Sequence, residues 1–251
     1  MGLHGGRVAL VTGVSRRQGI GYAIAARLRG LGFDLFVQHH VAHDASQPWG
    51  ADSVDEVLAD LGAQGLGADL ARPDAPDELM AAAVEACGRV DVLVCNHARS
   101  GGDGPLGSLD ATMLDEHYAV NTRSSILLAQ AFARQWSSTD GGRIVFLTSG
   151  QNLGPMPGEV AYAASKGALV AIVATLSREL ADRGITVNVV NPGPTDTGWA
   201  GPELIDFVNE RMPAKRWGRP DDAARLISWL CTDDAAWITG QVINSEGGFR
   251  R

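Results

Sequence analysis

The stretch TGVSRRQGIG, residues 12–21, decides how this chain is read. An apolar run, VALV (8–11), precedes it, and a helix-forming AIAARL (23–28) follows. A glycine-rich turn between strand and helix lets the backbone come close to a phosphate, and the helix then offers its unpaired N-terminal N–H groups to the anion. The glycines fall at Gly13, Gly19 and Gly21, which is not the G-x-G-x-x-G spacing of a standard dinucleotide loop. On these residues alone two readings stay open: a cofactor loop of unusual spacing, or an ordinary glycine-rich turn.

Outward from this turn, short apolar runs alternate with longer helical patterns. The strand candidates are 7–12, 34–38, 65–69, 90–96, 142–149, 185–191 and 241–245, several of them apolar almost throughout. Such runs suit a parallel sheet covered on both faces. Helix candidates fill the gaps at 20–30, 52–61, 74–87, 109–135, 159–182 and 221–231. Pro220 followed by Asp221 and Asp222 marks a helix start, since proline suits the first turn and carboxylates favour its positive end. The regular alternation predicts one doubly wound α/β domain spanning 1–251, with a seven-stranded parallel sheet between helices and a short substrate lid at about 198–217. In such a sheet ligands bind outside the carboxyl ends of the strands, so the polar residues that end strands become the candidates.

Composition narrows the partners. Net charge is −8 and no basic run exceeds two residues, which argues against nucleic acid and against a cationic lipid-binding helix. Cys87, Cys95 and Cys231 form no C-x-x-C pair and read as free thiols of a reducing compartment. The first strand begins too early for a signal peptide, position 6 is Gly where a myristoylation signal needs Ser or Thr, and no apolar stretch reads as long enough to span a bilayer. The expectation is a cytoplasmic protein outside the membrane.

The chemistry-bearing candidate is YAASK, residues 162–166. Tyr162 and Lys166 stand four positions apart and share one face of a helix. A phenol with a pKa near ~10 is a poor acid or base at neutral pH, and a neighbouring ammonium is expected to lower that value. Tyr162 then becomes a usable general acid or base. Ser149 ends a strand thirteen residues earlier, with a hydroxyl free to hold a substrate oxygen. The chain has nineteen arginines and only two lysines, Lys166 and Lys215, so a lysine beside Tyr162 points to a need for a compact cation that can pass a proton. A plain surface Tyr–Lys pair is the alternative.

With these residues in view the sequence resembles the short-chain dehydrogenase/reductase family, nearly end to end, and leans toward its 3-oxoacyl-acyl carrier protein reductase-like members. Ser149, Tyr162 and Lys166 match the family's catalytic residues in type and spacing, and Asn121 in HYAVNTRSS matches the upstream asparagine. The resemblance implies a Rossmann fold and a homotetramer. It also answers the opening question. The family uses T-G-x-x-x-G-x-G, and TGVSRRQGIG keeps both ends with two extra residues between them. Enoyl-acyl carrier protein reductases, a divergent branch, also lengthen this loop, but they space Tyr and Lys by six residues. CNHA (95–98) stands where the family has N-N-A-G, keeping the second asparagine as Asn96 and replacing the glycine by Ala98; His97 reads as a local packing change.

The resemblance implies nicotinamide-cofactor contacts from Gly13, Ser15, Arg16, Arg17, Gly19 and Ile20 in the loop, from Asp69 and Leu70 at the adenine edge, and from Asn96 and Ala98. Tyr162 and Lys166 would hold the ribose, and Pro192, Gly193, Thr195 and Thr197 in NPGPTDT (191–197) would cover the nicotinamide and pyrophosphate. After the second strand an NAD enzyme places an acid against the ribose hydroxyls. That position is His39, and no acid occupies it. Arg16 and Arg17 suit a 2′-phosphate, so NADP(H) is expected in preference to NAD(H). His39, His40, His43 and Asp44 have the donor types of a zinc site, but they sit on a loop and hydride chemistry needs no metal; none is expected.

The implied activity is hydride transfer between NADP(H) and a carbonyl or secondary alcohol, with a 3-oxoacyl thioester among the candidate substrates. Ser149 would bind the carbonyl oxygen, Tyr162 give the proton, Lys166 hold the ribose and lower the Tyr162 pKa, and Asn121 place a water that refills the proton through Lys166. The rival readings are a catalytically silent cofactor-binding regulator of the same fold and a halohydrin-dehalogenase-like enzyme, against which the full catalytic set and Lys166 count. Trp199, Leu204, Phe207 and Met212 suit an apolar substrate wall. Arg123, Arg211, Lys215 and Arg216 are the candidates for a basic patch toward an acidic carrier protein.

Overall fold

The computed structural model describes residues 6–47, 49–139 and 141–251. Seven parallel strands form one sheet in the order β3-β2-β1-β4-β5-β6-β7. They are β1 (Val8–Val11), β2 (Asp34–His39), β3 (Gln64–Gly67), β4 (Val92–Cys95), β5 (Gly142–Leu147), β6 (Ile185–Asn191) and β7 (Val242–Asn244). Each of the seven predicted strands is present: β6 keeps its predicted bounds, β2 runs one residue further, β3 is shifted toward its start, and the other four are shorter by one or two residues at one or both ends.

The helices are α1 (Ile20–Gly30), α2 (Val41–Ala45), α3 (Val54–Leu61), α4 (Ala75–Cys87), α5 (Ala111–His117), α6 (Ser124–Gln135), α7 (Val160–Leu180), α8 (Pro202–Arg211) and α9 (Pro220–Leu230). Alternate strand residues point to opposite faces. On one face Ala9, Val11, Val92, Val94 and Val145 meet Ile24 and Leu28 of α1 and Ala224 and Ile227 of α9. On the other, Leu10, Leu93, Ile144 and Phe146 meet Leu79 of α4, Leu128 and Phe132 of α6 and Leu169 of α7. This is why the central strands read as unbroken apolar runs: both sides are buried. The predicted start of α9 holds, and the Asp222 carboxylate accepts the Arg219 backbone N–H at 2.8 Å.

Three features depart from the sequence reading. The helix expected over 109–135 is broken between α5 and α6 by a π-turn, Tyr118–Arg123. Widened turns of this kind leave carbonyls unpaired and gather at functional sites; here the Ser125 hydroxyl donates to the Asn121 carbonyl at 3.0 Å, as serine side chains readily do toward a carbonyl one turn back. The short α2 and the lid helix α8 were not separately anticipated. The expectation that no stretch is long and apolar enough to span a bilayer is corrected as well. Residues 160–183 qualify by length and composition, although one face of that helix packs on the sheet through Ala161, Leu169 and Val173.

Candidate active site

Strand order reverses between β1 and β4, and the crevice at their carboxyl ends is where an open parallel sheet takes its ligand. An elongated cleft of about 420 Å³ lies there, running from His43 and Trp49 past Gly13 and Gly19 to Ala98 and Thr197. Of the residues expected at the cofactor, Gly13, Ser15, Arg16, Gly19, Ile20, Asp69, Leu70, Asn96, Ala98 and Thr197 line it.

The phosphate loop is held from below. Its first turn takes a positive φ of 72° at Gly13. The Gly13 N–H donates to Gln38 Oε1 at 2.9 Å, and Asn96 Nδ2 donates to the carbonyls of Thr12 and Gly13 at 3.0 and 3.1 Å. A Cβ on Gly21 would stand 2.3 Å from the Gly13 oxygen, so only glycine lets α1 begin this close to β1. No side chain caps α1 at Gly19, which leaves its first N–H groups facing the cleft for a diphosphate. These residues fit a dinucleotide.

Several expected contacts lie outside this cleft. Arg17 does not line the cleft. Its backbone N–H donates to Asp52 at 2.7 Å and its guanidinium pairs with Asp60 at 2.7 Å and Glu56 at 3.3 Å, so the two-residue insertion is pinned outward onto α3. His39 still belongs to β2, and its ring packs over Gly67 of β3. His40, the next residue, reaches the cleft instead. Pro192, Gly193 and Thr195 are not among the residues that line it either. The backbone there folds on itself, with the Gly193 N–H donating to Asn191 Oδ1 at 3.0 Å and Thr195 bridging to Gly218. His40, His43 and Asp44 all reach the cleft, yet no group of three or more potential metal ligands forms among the described residues.

Beyond the cleft, β5 and α7 bring Ser149, Tyr162 and Lys166 together. The Ser149 side chain lies beside the Tyr162 hydroxyl and favours its ionised form. Lys166 is buried at 2% exposure, its Nζ donates to the Leu147 carbonyl at 3.0 Å, and it lies 6.0 Å from the Tyr162 ring centroid. Burial pushes the Lys166 ammonium down to about 8. Burial pushes the Tyr162 phenol up to about 12, against the hydrogen bond from Ser149, and Glu159 adds to the rise. The expected lowering of Tyr162 by Lys166 is therefore outweighed: desolvation of the phenolate is the larger effect.

Asn121 sits at the π-turn, fully buried, with its amide committed. Its Oδ1 accepts from the Arg99 N–H at 2.7 Å, and its Nδ2 donates to the Arg99 carbonyl at 3.1 Å and to Ser165 Oγ at 2.9 Å. The side chain thus clamps the loop after β4 to α7.

Sequence reasoning missed three supports. Asp103, from the loop after β4, accepts the N–H groups of Ala161 and Tyr162 at 3.0 and 2.7 Å, capping the helix that carries Tyr162 from a position far away in sequence. Gln38 braces the phosphate loop. His97 joins the end of β1 to the π-turn, with Nδ1 at 2.6 Å from Thr12 Oγ1 and Nε2 at 3.0 Å from the Val120 carbonyl and 2.7 Å from Ser124 Oγ. Burial, with Lys166 nearby, pulls the His97 pKa down to about 3, so the ring is neutral, with Nδ1 accepting from Thr12 and Nε2–H donating.

Comparison with known proteins fits this geometry. The family described as enoyl-(acyl carrier protein) reductase matches residues 13–250. The uncharacterized oxidoreductase YjdA of Bacillus subtilis is 44% identical over 254 residues, covering 98% of this chain and 97% of that protein. The chain is a short-chain dehydrogenase/reductase. As a member of that family it is an NAD(P)-dependent oxidoreductase. The 3-oxoacyl-[acyl-carrier-protein] reductase FabG of Staphylococcus epidermidis is 34% identical and covers 96% of this chain and 97% of its own length. Among solved structures, a blue fluorescent protein from a metagenomic library in complex with NADPH superposes with a TM-score of 0.87 at 32% identity, over all of both chains.

Proposed function

We propose that this short-chain dehydrogenase/reductase reduces a carbonyl group with NADPH, taking a ketone or 3-oxoacyl thioester with an apolar chain. The observation that carries the reading is the pairing of Tyr162 with Ser149 in front of buried Lys166. Bound NADPH supplies the hydride. The Ser149 hydroxyl holds the carbonyl oxygen, and Tyr162 gives its proton to that oxygen. A phenol at about 12 stays protonated at neutral pH, as the acid role requires. Lys166, at about 8, gives up and regains a proton readily and restores the phenol. Asn121 is a positioning residue, holding Arg99 and Ser165 in register.

The cleft supports NADPH. No carboxylate ends β2, and Arg16 stands on the wall with no carboxylate partner among the described residues. NADPH-bound relatives of the same fold agree with this. For the substrate, Trp199, Leu204 and Phe207 on the lid segment are 51, 36 and 48% exposed, an apolar wall open to solvent, while Met212 is buried against the lid's own core. A carrier-protein patch has less support. Arg123 bonds the Ala71 carbonyl, Arg216 pairs with Asp222 at 2.7 Å, and Arg211 stacks on Phe207.

The test is NADPH oxidation with a panel of apolar ketones, a short 3-oxoacyl thioester and the matching enoyl thioester. Turnover of the carbonyl compounds but not the enoyl thioester is expected. Reduction of the enoyl thioester alone overturns the reading.

We also read the protein as a cytoplasmic homotetramer. Trp237, 99% exposed, lies just before edge strand β7, and α7 leaves a face of small residues, Ala164, Ala171 and Ala174, uncovered. Large uncovered apolar groups of this kind mark interfaces. Trp237→Glu is expected to shift the species seen by light scattering from tetramer to dimer or monomer. An unchanged mass would remove Trp237 from the interface.

A further inference from the structure

We propose that Trp49 sets cofactor choice: its indole holds the Arg16 guanidinium where it receives the 2′-phosphate of NADPH, so that Trp49 selects NADPH over NADH through Arg16. The inference rests on the NADPH reading above and assigns it to a residue outside every motif of the chain.

The geometry starts with the chain after β2. It makes the short helix α2 and then turns back, and this detour brings Trp49 to the wall of the cleft opposite the phosphate loop. Arg16 Cζ lies 5.5 Å from the Trp49 ring centroid. Tryptophan is the aromatic ring that attracts a guanidinium most strongly. The indole is itself tethered, its Nε1–H donating to Asp44 Oδ1 at 3.4 Å. On its other side Arg16 meets the lid segment, with Nη2 3.3 Å from where a Cβ on Gly198 would stand. The guanidinium is thus held between two loops that flank the cleft.

The charge pattern explains why a ring does the holding. Arg17 is neutralised by Asp52, Glu56 and Asp60. Arg16, its neighbour, has no carboxylate partner among the described residues, in a chain of net charge −8. A carboxylate would orient Arg16 but cancel its charge. An aromatic face attracts the guanidinium without neutralising it and leaves its N–H groups free for a phosphate. At the end of β2, where an acid would claim the ribose hydroxyls, stand His39 and His40. Asp44 and Asp69 share the cleft, but Asp44 takes the indole N–H and Asp69 the Ala71 N–H at 2.9 Å.

The experiment is titration calorimetry of NADPH and NADH on the full chain, for wild type, Trp49→Ala, Trp49→Phe, Arg16→Ala and the double variant Trp49→Ala/Arg16→Ala. Trp49→Ala is expected to weaken NADPH about 10-fold and leave NADH unchanged. Trp49→Phe keeps a ring face and is expected within about threefold of wild type. Arg16→Ala weakens NADPH by roughly 30-fold, and the double variant is no weaker than Arg16→Ala, because both substitutions remove one interaction. Equal loss of NADPH and NADH in Trp49→Ala, or additive losses in the double variant, overturns the role of Trp49 while leaving the NADPH reading in place. Equal loss of both cofactors in Arg16→Ala overturns both.

Discussion

Tyr162→Phe is expected to lower carbonyl reduction at least about 100-fold, with NADPH binding unchanged. The substitution removes a single oxygen. The ring keeps its edge-on contact with His117 at 6.5 Å, and the Asp103 cap acts on backbone N–H groups that phenylalanine also has. The helix therefore stays where it is. What disappears is the acidic proton placed beside Ser149. The phosphate loop and Arg16 are untouched by the substitution, so NADPH affinity measured by calorimetry reports an intact site. Loss of turnover with retained affinity is the signature of a missing general acid. Turnover within a few-fold of wild type would remove Tyr162 from that role.

Much of the fold was legible because the sheet is buried on both faces. Runs such as VALV and VLVC carry no polar alternation, as strands covered on both faces require. The helix starts at Ile20 and Pro220 were legible for local reasons, the glycines before one and the Pro-Asp-Asp of the other. The π-turn was not. HYAVNTRSS is as good a helix as its flanks, and the extra residue in the turn is stabilised by contacts to Arg99 and Ser165, which sequence spacing does not reveal.

The site divides in the same way. Glycines, and pairs set by helix periodicity such as Tyr162 and Lys166, could be read because their geometry is local. Neighbouring residues with equal chemistry could not be sorted. Arg16 and Arg17 differ only in which way the loop turns them, and that is decided by acids on α3 some forty residues away. His39 and His40 differ by where β2 stops. The tyrosine pKa was misjudged for a related reason. Spacing shows that an ammonium is near, but not that the phenol is desolvated.

Lys166→Arg is the second large effect. It keeps the positive charge yet is expected to lower reduction roughly 100-fold or more. Lys166 Nζ sits in a small buried space behind Tyr162, bonded to Leu147, with Cys95 and His97 close enough to feel its charge. A planar guanidinium is larger than that space and does not release its proton at any working pH. The two residues also differ in pH profile. Burial lowers the Lys166 pKa to about 8, so the wild-type rate of reduction is expected to fall as pH rises through about 8, where the ammonium that restores the phenol is lost. Tyr162, at about 12, remains protonated across this window and does not cause the fall. The same titration acts on stability with a definite sign. The unfolded lysine, near ~10.4, binds its proton over a range where the folded one has released it, so this group makes the protein more stable as pH rises from about 8 toward ~10. Lys166→Arg should abolish both the decline in rate near pH 8 and the gain in thermal stability above it. A variant that keeps either one would assign that titration to another group.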